Sequence, residues 1–293
     1  MKFNSRLNTH TLTNQGSAEP KMRQKLIIFA GTPGSGKTSI IKYIIQELRN
    51  DFKLFFAKFD CLQTLDDERI AKEYKIPTVK KLAGELCPDH YTALEIPKIV
   101  RENQNKDIII LETAGLCLRC SPYIKEGLGI NVLDITSGDP SRYGPILTQA
   151  DVAAISKGDL ISQAEREIFR AKVLKVNPKA KIVEINGLTG EGAIDIVEYI
   201  KASSCIEKDK KLMLKHSMPS ALCGYCYGNK IIDEKEEQKR ASAGKELKNL
   251  IPGLNCGKCG FKSCNEFIRA VLDGKAIKEQ CPFIKQKVAN KNN

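Results

Sequence analysis

Residues 25–48 read Lys25-Leu26-Ile27-Ile28-Phe29-Ala30, then Gly31-Thr32-Pro33-Gly34-Ser35-Gly36-Lys37-Thr38, then Ser39-Ile40-Ile41-Lys42-Tyr43-Ile44-Ile45-Gln46-Glu47-Leu48. The first block is a short apolar run of strand character. The second is a G-x4-G-K-T octet. The third places Ile40, Ile41, Ile44, Ile45 and Leu48 on one face at helical spacing. A glycine-rich octet alone is often only a turn; between a strand and a helix it is a phosphate-binding loop. Gly31, Gly34 and Gly36 let the backbone N–H groups around Ser35 and Ser39 turn toward phosphate oxygens, and the helix N-terminus adds partial positive charge. In this arrangement Lys37 reaches the β- and γ-phosphates and the Thr38 hydroxyl holds Mg2+.

The octet opens a longer alternation. Short apolar segments at 25–30, 53–59, 107–112, 130–135, 152–156 and 180–185 read as strands, and 37–49, 162–176 and 192–201 read as helices. Such alternation predicts an α/β fold, a P-loop NTPase with a mostly parallel sheet and helices on both faces. Nucleotides bind such sheets at the carboxyl ends of the strands.

Three later pieces fit the same site. Asp107–Leu111 is an apolar strand ending in Glu112-Thr113-Ala114-Gly115. A carboxylate at a strand tip suits Mg2+, and Gly115 lets the chain swing with γ-phosphate occupancy. Ser156-Lys157-Gly158-Asp159 resembles the N-K-x-D guanine motif: Asp159 would accept from the base and the Lys157 stem would cover its plane, while Ser156 stands where Asn is usual. Asn186-Gly187-Leu188 follows the next strand and would turn backbone N–H groups toward guanine O6. Against an ordinary strand end and turn, two such pieces in the correct order favour GTP over ATP.

The remaining chain is different in character. The first 24 residues are polar and basic and read as disordered; 203–246 reads as a linker with a C-x-x-C and a charged helix; 247–285 is a compact cysteine-rich module, followed by a tail over 286–293. That module runs Cys256-x2-Cys259-x4-Cys264-x16-Cys281, with an amphipathic helix between the third and fourth cysteines. Three thiols on a tight loop and one beyond a helix suit a 4Fe-4S cluster. A structural zinc knuckle is the rival, and zinc sites more often pair two C-x-x-C units or use His.

Three further candidates involve metal. Cys117 and Cys120 follow the switch glycine at ligand spacing and could hold zinc, nickel or a second, bridging cluster between two subunits, or simply pack as small apolar residues. Cys223 and Cys226 form a C-x-x-C that suits a metal or a redox dithiol. Cys87 and His90 could meet a metal together with a symmetry mate. Cys61 is most simply core.

The chain is 293 residues, 42% hydrophobic, with eleven cysteines and a net charge of +12. No apolar run spans a bilayer and no signal-peptide core is present, so the expected location is cytoplasmic, where C-x-x-C pairs point to metal rather than disulfides. The basic excess is spread over surface lysines, with no Trp and no basic–aromatic run. It therefore reads as a solvated surface or one for an acidic protein partner, not a nucleic-acid footprint.

On Gly31–Thr38, Asp60 with Asp66 and Arg69, Cys87-Pro88-Asp89-His90, Glu112–Gly115, Ser156–Asp159 and Asn186–Gly192, residues 25–201 resemble the hydrogenase and urease nickel-maturation GTPases, the HypB/UreG-like P-loop metallochaperones. An Asp is inserted in the Cys-Pro-His metal motif of the urease type. Residues 247–285 are similar to the four-cysteine 4Fe-4S domain of corrinoid iron–sulfur proteins and of electron-transport complex subunits. The resemblance implies a GTP- and Mg2+-dependent dimer that handles metal for a client metalloenzyme, with Lys37, Thr38, Asp60 and Glu112 as its catalytic set and Asp60 or Asp66 near the attacking water. Two other readings use the same residues: an NTP-gated electron-transfer protein acting as a reductive activator, and a non-enzymatic metal store or sensor.

Overall fold

The computed structural model describes residues 24–61, 65–83, 88–115, 118–207, 210–216 and 234–284, without the side chains of 90, 234–238 and 241. Seven strands form one sheet: β1 (Lys25–Ala30), β2 (Leu54–Asp60), β3 (Thr78–Leu82), β4 (Ile108–Glu112), β5 (Leu128–Asp134), β6 (Val152–Ser156) and β7 (Lys181–Ile185). The helices are α1 (Lys37–Leu48), α2 (Asp66–Tyr74), α3 (Pro88–Glu102), α4 (Pro145–Thr148), α5 (Gln163–Val176), α6 (Ala193–Ala202), α7 (Glu234–Leu250) and α8 (Cys264–Leu272). The strand order is β3-β2-β4-β1-β5-β6-β7, and every pairing is parallel.

Parallel strands covered on both faces are near-continuous apolar runs, and β1 shows why. Ile27 and Phe29 face a core shared with α1, Ile70 of α2 and α6. Leu26, Ile28 and Ala30 face the opposite core, with Ala93, Ile96 and Ile99 of α3. A third cluster sets Phe169 and Val173 of α5 against Leu133 and Ile155. The chain steps outward from β1 to β2 and β3, returns to β4, then crosses to β5 on the other flank of β1. That change of direction puts the loop after β1 at the crevice where such sheets bind ligands.

The expected strands are present to within about two residues. β3, α2 and α3 were not expected. Within the stretch read as a linker, Ile206, Leu212 and Leu214 are buried in the core of the sheet's α3 face. Leu214 bridges Ile124, the Lys125 N–H donates to the Met213 carbonyl at 2.8 Å, and Lys215 pairs with Asp151.

The C-terminal module has its own core. Leu247 and Ile251, from the end of α7 onward, pack with Phe267, Ile268 and Ala270 of α8, and with Ala276, Cys281 and Ile284. Ser263 caps α8 by accepting the Glu266 N–H at 3.2 Å. Arg240 on α7 reaches the Asp273 carboxylate at 2.6 Å. The module's structure therefore includes α7, which begins before residue 247. Among the described residues no helix is long and apolar enough to cross a membrane.

Candidate functional site

Two glycines let the loop close on itself. Gly31 has φ +153°, and a Cβ there would come within 2.3 Å of the Val132 carbonyl oxygen on β5. Gly115, just past β4, has φ +70°, and its Cβ would lie 1.6 Å from the Gly31 carbonyl oxygen. The switch glycine thus touches the phosphate loop directly. Gly36, also left-handed at φ 89°, is the residue from which α1 starts.

Lys37 is buried, and its Nζ donates to the Gly31 and Thr32 carbonyls, each at 3.0 Å. Burial lowers its pKa to about 8, against the raising effect of the Glu112 charge. The lysine is poised over its own loop, where an incoming phosphate would replace the two carbonyls. Thr38 Oγ1 lies 2.8 and 3.0 Å from the two carboxylate oxygens of Glu112. β1 and β4 pair with Phe29 opposite Glu112, which sets this carboxylate beside the loop. Asp60 ends β2 and lines the same crevice as Gly34, Gly36, Ser39, Asp66, Thr113 and Ala114. Its carboxylate accepts the Cys61 N–H at 2.8 Å. Asp66, on the first turn of α2, comes within 3.4 Å of Thr38 Oγ1.

On the other flank, Ser156 ends β6 and donates to the Ser35 carbonyl at 2.8 Å and the Leu133 carbonyl at 3.1 Å. A side chain of the base motif thereby anchors the phosphate loop. Lys157 is left-handed at φ 63°, and its Nζ pairs with Asp134 at 2.6 Å. Burial would raise the Asp134 pKa, but Lys157 and the Thr136 hydrogen bonds outweigh it and hold the carboxyl low. Asp159 is exposed and lines a pocket with Gly158, Arg166, Glu184 and Asn186. Asn186 Oδ1 accepts the N–H groups of Leu188 and Thr189 at 2.8 and 3.2 Å, so the loop is folded on its own side chain. Gly187 comes close to Ser39 and Ile40 of α1, and the Tyr43 hydroxyl donates to the Leu188 carbonyl.

In the C-terminal module Cys256, Cys259, Cys264 and Cys281 line a single pocket, with Gly257, Phe261 and Phe283 among its walls. Gly257 and Gly260 are left-handed at φ 71° and 85°, and the Gly260 N–H donates to the Gly257 carbonyl at 2.8 Å. Asn255, itself at φ 48°, ties the loop to α8: its Oδ1 accepts the Cys264 N–H at 2.8 Å, and its own N–H lies 3.4 Å from Cys264 Sγ. Among the described residues no group of three His, Cys, Asp or Glu side chains is gathered tightly enough for a single metal ion. The four thiols line this one hollow, and four cysteine thiolates are the usual ligand set of an iron–sulfur cluster.

The family model for the CobW/HypB/UreG nucleotide-binding domain matches residues 25–184. The chain belongs to that family. It is a P-loop GTPase, with the phosphate loop, the strand-tip Glu112 and the Ser156–Asp159 segment all within the matched residues. A second family model, described as "Putative Fe-S cluster", matches residues 251–283, which contain all four module cysteines. Uncharacterized protein MJ0120 of Methanocaldococcus jannaschii is 45% identical over 215 residues, covering 72% of this chain and 92% of that one. The crystal structure of the hydrogenase maturation factor HypB from Archaeoglobus fulgidus overlays with a TM-score of 0.52 at 23% identity, covering 62% of this chain and 90% of that chain. That likeness shows the fold.

For this CobW/HypB/UreG family member, Lys37, Thr38 and Glu112 are brought together, with Asp60 and Asp66 on the same crevice. Cys87, Cys117, Cys223 and Cys226, and the side chain of His90, lie outside the described residues. Cys120 is half-buried beyond the Leu118–Arg119 turn, and Cys61, expected in the core, is half-buried at the end of β2. Sequence reasoning missed Lys58. It is buried on β2, directly across from Glu112 in register, with Nζ 2.5 Å from Oε1 and 3.3 Å from Asp66 Oδ2. Burial would lower its pKa, and the two carboxylates more than offset this, so it is raised. The signal in the sequence is a lysine inside Leu54-Phe55-Phe56-Ala57-Lys58-Phe59, where every neighbour is apolar.

Proposed function

We propose that the chain is a GTP-hydrolysing metallochaperone or activator that assembles or inserts a metal centre in a client metalloenzyme and carries a 4Fe-4S cluster of its own. The carrying observation is the contact of the Thr38 hydroxyl with Glu112 beside the buried Lys37, in a chain whose C-terminal module surrounds one pocket with four cysteines. Thr38 and Glu112 hold Mg2+, and Lys37 exchanges its two loop carbonyls for phosphate oxygens, so that cationic groups lie where charge develops in phosphoryl transfer. Asp60 or Asp66, both on the crevice, orients the attacking water. Asp159 selects guanine. Gly31, Gly34, Ser35, Gly36, Ser39, Gly115, Lys157, Asn186, Gly187 and Leu188 complete the nucleotide cradle.

Cys256, Cys259, Cys264 and Cys281 hold the cluster. The C-x2-C-x4-C-x16-C spacing supports this over zinc, whose sites more often pair two C-x-x-C units or use His. Nickel is the proposed cargo and the active form a nucleotide-dependent homodimer, both following from the likeness to nickel-maturation GTPases. The test is anaerobic purification, iron and acid-labile sulfide analysis, and GTP turnover with the cluster's oxidation state followed optically. About four iron and four sulfide per chain, with the cluster unchanged through turnover, are expected for a 4Fe-4S protein of this kind. Oxidation of the cluster in step with GTP hydrolysis would replace the chaperone reading with that of a reductive activator.

A further inference from the structure

The least expected charge in the molecule is the Lys58 ammonium. Its side chain is 6% exposed and that of Glu112 is 1% exposed. It projects on the same side of β2 as Phe56, toward α1, while Ala57 and Phe59 pack into the opposite core. Three oxygens surround Nζ: Glu112 Oε1 at 2.5 Å, Asp66 Oδ2 at 3.3 Å and Thr38 Oγ1 at 3.5 Å. A buried ion pair is a poor way to stabilise a strand, since well-packed apolar residues often do as well or better. β2 is otherwise apolar up to its terminal Asp60, so an apolar side chain at 58 would continue the strand pattern.

These three oxygens include the two groups assigned above to Mg2+. We propose that Lys58 is the built-in counter-ion of that site: its ammonium holds Thr38, Glu112 and Asp66 together in the nucleotide-free chain, and the divalent ion must displace it from Glu112. Mg2+ needs oxygen ligands at about 2.0–2.1 Å in near-octahedral array. Those two oxygens are 2.8 Å apart, and the ammonium stands beside them, 2.5 Å from Glu112 Oε1 and 3.5 Å from Thr38 Oγ1, so that a divalent ion bound to both oxygens would be its immediate neighbour. Metal and ammonium therefore compete for one carboxylate oxygen and repel each other. Lys58 keeps the two acidic groups from repelling phosphates before metal arrives, and it sets how strongly nucleotide affinity depends on the metal. It is a positioning residue, acting through Glu112 and Thr38.

The inference rests on Thr38 and Glu112 being the Mg2+ ligands, and the experiment separates the two. In the full-length protein, GDP affinity is measured with and without Mg2+, and Mg2+ is titrated into the GDP complex, for wild type, Lys58→Gln and Lys58→Arg. Lys58→Gln leaves a donor for Glu112 without the charge. It should bind Mg2+ roughly tenfold more tightly than wild type, within the usual range for coupled sites, and bind GDP less tightly when metal is absent. Lys58→Arg, which keeps the charge, should stay close to wild type in both. Wild-type GDP affinity that ignores Mg2+ would overturn the metal assignment itself, and this inference with it. A metal-dependent wild type whose Lys58→Gln variant binds Mg2+ no more tightly would overturn the inference alone. Should the variants not fold, covalent amine labelling of wild type read by mass spectrometry replaces them. Lys58 labelling should rise severalfold when Mg2+ joins the GDP complex, and equal labelling in both states would count against displacement.

Discussion

A Cβ on Gly115 would lie 1.6 Å from the Gly31 carbonyl oxygen, in a backbone conformation with φ +70°. No rotation of a methyl group relieves that contact, because it is made by backbone on both sides. Gly115→Ala should therefore push the switch off the phosphate loop. The expected cost is about 2 kcal/mol or more, from left-handed strain plus overpacking. Thermal denaturation of the nucleotide-free protein should show the loss, and a larger one should appear in GTP affinity than in global stability. Asp159 sits differently: it is exposed and its neighbours do not depend on it for packing. Asp159→Ala should leave the melting temperature near wild type and weaken GTP by about 2 kcal/mol, the worth of charge-assisted hydrogen bonds to the base. Competition titration against ATP checks the assignment, because ATP affinity should not change. Equal wild-type affinity for GTP and ATP would remove the guanine reading.

At the scale of elements, what could be read in advance follows burial. β1, β4 and β6 are covered on both faces, so their sequences are continuous apolar runs bounded by loop residues. β3 escaped because it is an edge strand, Thr78-Val79-Lys80-Lys81-Leu82, half-buried along its whole length, with two lysines held by carboxylates on α2 and α3. α2 buries only Asp67 and Ile70, too little for an apolar stripe. Pro97 lies inside α3 and interrupts its pattern. The candidate site divides in the same way. Lys37, Thr38 and Glu112 are legible because loop spacing and a strand tip dictate where they fall. Lys58 and Asp134 meet their partners only through strand pairing and close approach, which linear spacing does not record. Ser156 is intermediate: its place in the motif was legible, its bond to the Ser35 carbonyl was not. That bond joins the end of β6 to the phosphate loop, so Ser156→Ala should lower stability by about 1–3 kcal/mol, the cost of leaving buried acceptors unmatched. Urea unfolding would measure it, and a neutral result would mean that the two carbonyls find other donors.

Two bodies make up the molecule, and the sequence between them belongs partly to each. Ile206, Leu212 and Leu214 lie in the GTPase core at 7%, 5% and 6% exposure. A chain ending at residue 202 should be less stable than one ending at 216 by about 5 kcal/mol, taking roughly 1.5–3 kcal/mol for each large apolar side chain. Denaturant midpoints of the two truncations test this, and equal midpoints would restore the stretch to the status of a spacer. The same reasoning applies on the C-terminal side. All four proposed cluster ligands lie between Cys256 and Cys281, yet Ile251 lines their pocket and shares the module's core with Leu247, and Arg240 fixes the end of α8 through Asp273 and the Leu272 carbonyl. A fragment starting at 234 should therefore reconstitute a stable oxygen-sensitive cluster, with iron and sulfide in equal amounts. One starting at 252 loses α7, and should bind iron transiently and release it within the assay. Asn255→Ala in the longer fragment removes the Oδ1 acceptor for the Cys264 N–H, and should speed cluster loss on air exposure without preventing assembly. Iron and acid-labile sulfide counted against time under argon and in air distinguish these outcomes. Zinc with no sulfide in the longer fragment would assign the four cysteines to a structural metal and remove the cluster from the mechanism.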